Sequence, residues 1–398
     1  DVLNASMGSY VDRASDELVD PWSTPYALHS DRTSDTQSFN LIVTGGFPLF
    51  GRDHDVVFGF NGARNEFTLL STYADLPTYH LSDSSAPAPD FSQPSSPYDA
   101  SGNRYVSEQS GLFGTVRLSL HDRLKLMAGG RVSNWKLRST DLLGVMGETT
   151  AKRSDVYTPY FGVVFDLNSF ASVYASHTGI FLPSTNHGAD GNLLEPTEGT
   201  NDELGIKLAF YDNRLNVSAA VYEANKDNVP EFANQGMLPN GEWIYVSLDG
   251  IKTRGYEIEL AGALTPSWEI GGGFTHNTAE DRDGNPRTTY IPNDVFKLTT
   301  SYRLDQLLPG VTVGGSARWQ SSTYYDFSID LDDASIPVRQ QQSAYWLIDL
   351  MARYTINEAV SVSVNVNNVF DKLYNRSIWG YADYGDPRNA SISIRWKM

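Results

Sequence analysis

The chain has 398 residues and a formal net charge of −18, which argues against nucleic acid as a partner. Hydrophobic residues make up 40% and charged residues 20%, which excludes wholesale disorder, and 33 glycines with 22 tyrosines suit a β-rich chain with many turns. There is no cysteine, so no disulfide or thiolate chemistry, and no apolar run of about 18 residues that could form a transmembrane helix.

The chain opens at DVLNASMGSY with no initiator Met and no signal peptide, as a processed or truncated chain would. From there the periodicity predicts about fifteen strands. They cover 36–48, 55–72, 105–120, 124–138, 155–166, 171–180, 201–211, 214–225, 244–263, 268–279, 292–304, 311–325, 342–356, 359–371 and 388–398. Alternation is strict in VSVSVNVNNVF, where Val360, Val362, Val364 and Val366 share one parity. Ser361, Ser363, Asn365 and Asn367 take the other. No helical periodicity is sustained.

The connections carry more information than any one strand. Short turns at GRDH (51–54), HDR (121–123), LNS (167–169), DNR (212–214), TPS (265–267), LDQLLPG (304–310) and INE (356–358) alternate with long loops. The loops cover 75–103, 139–154, 181–200, 226–243, 280–291, 326–341 and 372–387. Short turns on one side and long loops on the other are the pattern of an antiparallel transmembrane β-barrel. A Greek-key sandwich needs crossing connections that break this rhythm.

Two aromatic girdles are expected. Phe47, Phe170, Tyr211, Trp268, Tyr302, Tyr354 and Trp396 lie near the short turns. Tyr73, Trp135, Tyr157, Phe181, Tyr222, Tyr290, Tyr345 and Trp346 lie near the long loops. The polar faces carry Arg117, Lys125, Lys207, Glu257, Glu259, Lys297, Arg303, Arg318, Asp349, Arg353 and Arg395. A cation facing lipid at mid-depth costs roughly 2–4 kcal/mol. In a barrel these side chains therefore face inward and the valines face lipid. Periodicity alone leaves open a soluble sheet with the valines inside.

Several phrases resemble TonB-dependent siderophore receptors. LLEPTEGTNDELGIKLAFYDNRLNVSAAVYEANKDNVPE (193–231) is similar to their PE-x-G-x-x-x-E-x-G-x-K segment, and TRGYEIELAGALTPSWEIGGGFTH (253–276) to their RG-x-E-x-E-x-x-G strand pair. VNVNNVFDKLYN (364–375) and YGDPRNASISIRWKM (384–398) resemble the last two strand regions. TGGFPLFGRDHDVVFGF (44–60) looks most like the branch that includes ferric coprogen and pyoverdine receptors. The resemblance implies a 22-stranded barrel of which about fifteen strands are present. About seven strands, the plug domain and the TonB-contacting box would lie ahead of Asp1. Residues 1–398 would form a partial barrel domain, with 1–35 an extracellular loop. The family usually ends in an aromatic residue; here Met398 is last and Trp396 stands two before it.

The resemblance further implies a receptor in the Gram-negative outer membrane that binds a ferric siderophore and admits it with TonB-coupled energy. Its partners would be the ferric siderophore, outer-membrane lipid and the TonB complex. The chelate would meet loop aromatics, with Trp379, Tyr381, Tyr324, Tyr325, Trp243, Trp135, Tyr73, Trp22 and Tyr26 as candidates. No catalytic residue, metal site or cofactor is expected. DRDGN (281–285) resembles the start of a calcium loop, but Pro292 stands where the closing glutamate belongs. DLDD (330–333) reads as a solvated loop tip, and GLFG (111–114) and GGG (271–273) as close strand packing. The seven histidines are scattered, no G-x-S-x-G elbow is present, and Ser176 and His177 have no evident carboxylate partner. The alternatives are an outer-membrane porin or barrel enzyme, and a soluble secreted carbohydrate-binding β-protein.

Overall fold

The alternating segments pair with their sequence neighbours into one antiparallel meander. The structure is a computed structural model that describes residues 2–6, 22–23, 26–75, 79–80, 101–331, 334–378 and 382–397. Among the described residues, fifteen strands form the wall. They are β1 (Tyr26–Leu49), β2 (Arg52–Asp75), β3 (Ser101–His121), β4 (Leu124–Asp141), β5 (Glu148–Asp166), β6 (Ala171–Leu182), β7 (Thr197–Phe210) and β8 (Leu215–Asp227). Then follow β9 (Ile251–Thr265), β10 (Trp268–Glu280), β11 (Asp294–Arg303), β12 (Val311–Gln320), β13 (Tyr345–Thr355), β14 (Val360–Asn367) and β15 (Asn389–Trp396). Each pairs antiparallel with the next from β1 to β15. The short segment Val2–Ser6 pairs along the upper outer edge of β1. Among the described residues, β15 does not pair with β1, so the curved sheet is open.

Register answers the question of the two faces. Residues directly opposite in an antiparallel pair project to the same side. One row runs Asp166, Ser172, Lys207, Ser218, Glu259, Gly273, Lys297, Arg318 across β5 to β12. The neighbouring row on the opposite face runs Phe165, Val173, Ile206, Ala219, Ile258, Phe274, Phe296, Trp319, Trp346 from β5 to β13. Arg353 and Arg395 join the polar face through Ser363 and Ser361. Asp55 and Arg117 join it through Met127, Gly162 and Ser176. The apolar face lies bare: Val364 is 40% and Ile394 73% exposed. A soluble sandwich would bury these side chains in its core.

The polar face is the covered one. Towards the long-loop end, Trp135, Leu137, Ser133, Ser139 and Asp141 of β4 are buried, all on the polar-face parity. The loop after β6 and a hairpin after β8 fold over this side. Cations facing lipid would be costly, so in a barrel this charged, loop-covered face is the lumenal face.

Strand ends depart from the sequence expectation for physical reasons. β1 and β2 have 24 residues each. Tilted by roughly 40°, such a strand rises about 60 Å against an apolar band of about 25 Å. In β1 the excess, residues 26–35, carries no apolar alternation and reads as loop, whereas β2 lies almost wholly within the expected strand 55–72. β1 begins at Tyr26 and takes in residues 26–35 of the segment expected to be an extracellular loop. The expected strand 244–263 breaks at Asp249–Gly250, where Asp249 accepts from the Asn228 amide and Asp227 from the Gly250 amide. Its first part, Trp243–Leu248, instead pairs with Val229–Met237 as a loop hairpin. The expected strand 311–325 stops at Gln320, and Thr323–Leu331 pairs with Ala334–Gln342 in a second loop hairpin.

The girdle near the short turns is outward: Trp268, Tyr302, Tyr354 and Trp396 share the apolar parity. Near the loops, Tyr157 and Trp346 are outward and half exposed. Trp135, Tyr222 and Tyr345 are not girdle residues, because their parity places them on the lumenal face. Tyr290 packs among the loops rather than in the wall.

Candidate functional site

Among the described residues, the long loops from the one after β6 to the one after β14 join into a continuous cover. The loop after β6 meets the hairpin 229–248 through the Tyr245 amide, which donates to the His187 carbonyl at 2.9 Å. That hairpin meets the loop after β10 through Arg287, whose guanidinium contacts Glu231 at 3.2 Å and Asp281 at 2.8 Å. The next contact is to the hairpin 323–342, by the Tyr324 amide to the Thr289 carbonyl at 2.9 Å and the Tyr290–Tyr325 ring pair at 6.1 Å. Finally the Asn375 amide donates to Gln342 Oε1 at 2.7 Å.

Aromatic rings cluster on this cover. Phe232 sits edge-on to Trp243 at 5.2 Å and to Tyr245 at 6.2 Å. Tyr325 stacks with Phe327 at 5.9 Å. Arg339 lies 4.1 Å over the Tyr324 ring and grips Asp326 through two bonds of 2.6 and 2.7 Å. That grip holds the Asp326 carboxyl below the usual carboxylate range. A cleft of about 440 Å³ opens between hairpin and wall, lined by Phe67, Tyr105, Leu137, Glu242, Trp243 and Tyr245. Rings that keep an edge in water, beside a few polar groups, suit a bulky and partly apolar organic ligand.

A buried polar latch fixes the hairpin to the wall. Glu242 Oε2 lies 2.7 Å from His187 Nδ1, and Glu242 Oε1 accepts from the Tyr105 hydroxyl of β3. His187 Nε2 meets Thr149 Oγ1 of β5 at 3.3 Å. His187 is 4% and Glu242 13% exposed. Burial raises the Tyr105 hydroxyl well above its ordinary value, and its bond to Glu242 adds to this. For Glu242, burial would raise the carboxyl, but the bonds from His187 and Tyr105 outweigh it and hold it below the ordinary range. Nothing in the sequence announces this latch, because its members lie at 105, 149, 187 and 242. For Phe232 and Tyr245 the signal was the LPNG turn between two aromatic-bearing runs.

The sequence candidates divide. Trp243, Tyr324 and Tyr325 belong to the loop cover. Trp135 is 2% exposed and packed into the wall. Trp22, Tyr26 and Tyr73 lie on paired backbone segments, opposite His80, Asp75 and Leu28. Trp379 and Tyr381 lie outside the described residues. His177 does find a carboxylate, Asp202 at 2.7 Å, but Ser176 is on the other face of the same strand, so no nucleophilic triad forms. Among the described residues no three His, Asp or Glu side chains gather as a metal site.

The lumenal face below the cover is charged in sectors. Arg117 pairs with Asp55 at 2.7 Å and Lys125 with Asp166 at 3.1 Å. Lys207 lies 4.9 Å over the Tyr174 ring, and Tyr174 donates to Glu203. Glu257 and Glu259 share β9, while Lys297, Arg318 and Arg353 line β11 to β13.

The chain matches the family described as TonB dependent receptor-like, beta-barrel, over residues 3–369. It is 38% identical over 375 residues to the ferripyoverdine receptor of Pseudomonas aeruginosa, covering 91% of this chain and 44% of that protein. It is 34% identical to the ferric-pyoverdine 358 receptor of Pseudomonas putida, covering 90% of this chain and 43% of that one. The crystal structure of the P. aeruginosa ferripyoverdine receptor of the outer membrane, bound to ferripyoverdine, superposes with a TM-score of 0.80 at 33% identity. That match covers 99% of this chain and 53% of the other. The chain thus spans about half the length of the relatives it matches.

Proposed function

This chain belongs to the TonB-dependent receptor β-barrel family, outer-membrane barrels of Gram-negative bacteria, and from that premise we propose that it serves ferric siderophore uptake. In this reading residues 1–398 act as one partial barrel domain. They supply much of the wall and the extracellular loops that first meet a ferric chelate of the pyoverdine class. Trp243, Tyr324, Tyr325, Phe232 and Tyr245 are the rings offered to it. The iron arrives as cargo inside the chelate, so a resident cofactor has no part in this reading. Lys207, Arg318 and Arg353 hydrate the lumen or contact a plug, through which TonB-derived energy would act.

The observation that carries the proposal is the division of the sheet: one bare apolar face, one polar face roofed by loops rich in aromatic rings. The wall alone would suit any barrel; the roof selects for ligand capture. The test is ferric pyoverdine binding by the complete receptor. Trp243→Ala and Tyr325→Ala should each weaken affinity by about tenfold or more, as central aromatic anchors do. Unchanged affinity in both variants would overturn the assignment of these loops.

A further inference from the structure

Loop 281–291 stands between the two hairpins that carry the exposed rings, and it is closed by its own bonds. The Asp281 carboxylate accepts from the Asp283 and Asn285 amides and from the Asn285 side chain, at 2.9 to 3.2 Å. The Gly284 amide donates to the Asp281 carbonyl at 3.1 Å. Arg287 is tied to the wall by its pairing with Ala279 of β10.

Successive parts of this loop hold different hairpins. Arg287 Nη1 meets Glu231 of hairpin 229–248 at 3.2 Å, and Nη2 meets Asp281 at 2.8 Å. Two residues on, the Thr289 carbonyl accepts the Tyr324 amide of hairpin 323–342, and the Tyr290 ring packs edge-on to Tyr325. Between them Thr288 has a φ of 56°. A β-branched residue in the left-handed region is strained, and strain that persists in a structure points to a use. Here the strained bend separates the residue that holds one hairpin from the residues that hold the other.

An exposed ion pair is worth little by itself. Asp281 is only 11% exposed, however, and the planar guanidinium fork holds two carboxylates from two elements in fixed directions. A single ammonium on a flexible stem does not. We propose that Arg287 is a positioning residue of the ligand-binding cover. It sets the hairpin carrying Phe232, Trp243 and Tyr245 against the hairpin carrying Tyr324 and Tyr325, so that one ferric chelate meets both ring groups in a fixed frame. Such preorganisation lowers the ordering cost of binding, and Arg287 supplies it without touching the chelate. The inference rests on the siderophore reading given above.

The absence of cysteine allows paired nitroxide labels. In the complete receptor, labels go on the exposed Ser247→Cys and Ser328→Cys, one on each hairpin, and pulsed electron resonance reads the distance between them. The parent should give a narrow distribution without ligand. Glu231→Gln, which spares the Asp281 turn and its bond to Arg287, and Arg287→Lys should each broaden it. Each should also weaken binding of gallium pyoverdine, a diamagnetic stand-in for the ferric chelate, by roughly 3- to 10-fold. The double variant should bind no more weakly than the weaker single one, because both changes break the same bridge. A parent-like distribution or affinity in either single variant would overturn the proposal, as would losses that simply multiply in the double variant. Unchanged affinity in Trp243→Ala and Tyr325→Ala would instead refute the siderophore reading of these loops, and the proposal with it.

Discussion

Replacing His187 by alanine should release the hairpin 229–248 from the wall. The substitution removes the 2.7 Å contact to Glu242 and the 3.3 Å contact to Thr149. Glu242 is left buried, with the Tyr105 hydroxyl still donating to its other oxygen. Hydrogen bonds to charged groups are worth about 1.5–3 kcal/mol. Local opening should become easier by that amount, which accelerates exchange of the Tyr245 amide by roughly 10- to 150-fold. Hydrogen exchange read at Tyr245, normalised to a wall amide such as Ile258, measures it. The latch also has a pH signature. The Glu242 carboxyl sits below its ordinary value of 4.5 in the folded protein. A depressed native value gives stabilisation that is present above that value and lost as pH falls through the native one. The protection of the Tyr245 amide relative to Ile258 should therefore fall on acidification below about pH 4.5 in the parent and much less in Glu242→Gln. Unchanged exchange in His187→Ala, with no acid response in the parent, would refute the latch.

His54→Ala leaves the Ser119 amide and the Leu49 carbonyl without their partner at a site where the imidazole is 3% exposed. A loss of about 1–3 kcal/mol is expected, read as a lower urea midpoint of the receptor in vesicles, and an unchanged midpoint would contradict it. In the DRDGN turn, the Asn285 amide and side chain, with help from Arg287 and the Asp283 amide, hold the Asp281 carboxyl at about 2. Its oxygens are engaged within the turn, so millimolar calcium should leave amide exchange at Asp283 and Asn285 unchanged; calcium-dependent slowing would show that the loop binds the ion after all.

Much of the wall was legible because two-residue alternation is strong wherever one face meets lipid and the other water. Val360 to Val366 and Leu204 to Phe210 show it plainly. Legibility ended where that contrast ended. The upper part of β1 extends beyond the apolar band, so 26–35 carried no period. Asp249–Gly250 was a turn signal inside what looked like one strand. Trp135, Tyr222 and Tyr345 looked like girdle residues because they lie near strand ends, but parity decides the face. The loop cover was harder still. Aromatic content marked Trp243, Tyr324 and Tyr325, yet the contacts that seat them run through residues distant in sequence. Glu242 and His187 become partners only once the loop after β6 and the hairpin after β8 fold onto the same patch of wall.

The most direct test of the account is thiol labelling of single cysteines in the membrane-embedded receptor with an impermeant, water-soluble maleimide. Cysteines at Ser316 and Ser363, on the polar parity, should react. Cysteines at their neighbours Ala317 and Val364, on the apolar parity, should stay protected by acyl chains. Reaction at Ala317 and Val364 with protection at Ser316 and Ser363 would contradict the orientation on which the wall and the roof of loops both depend.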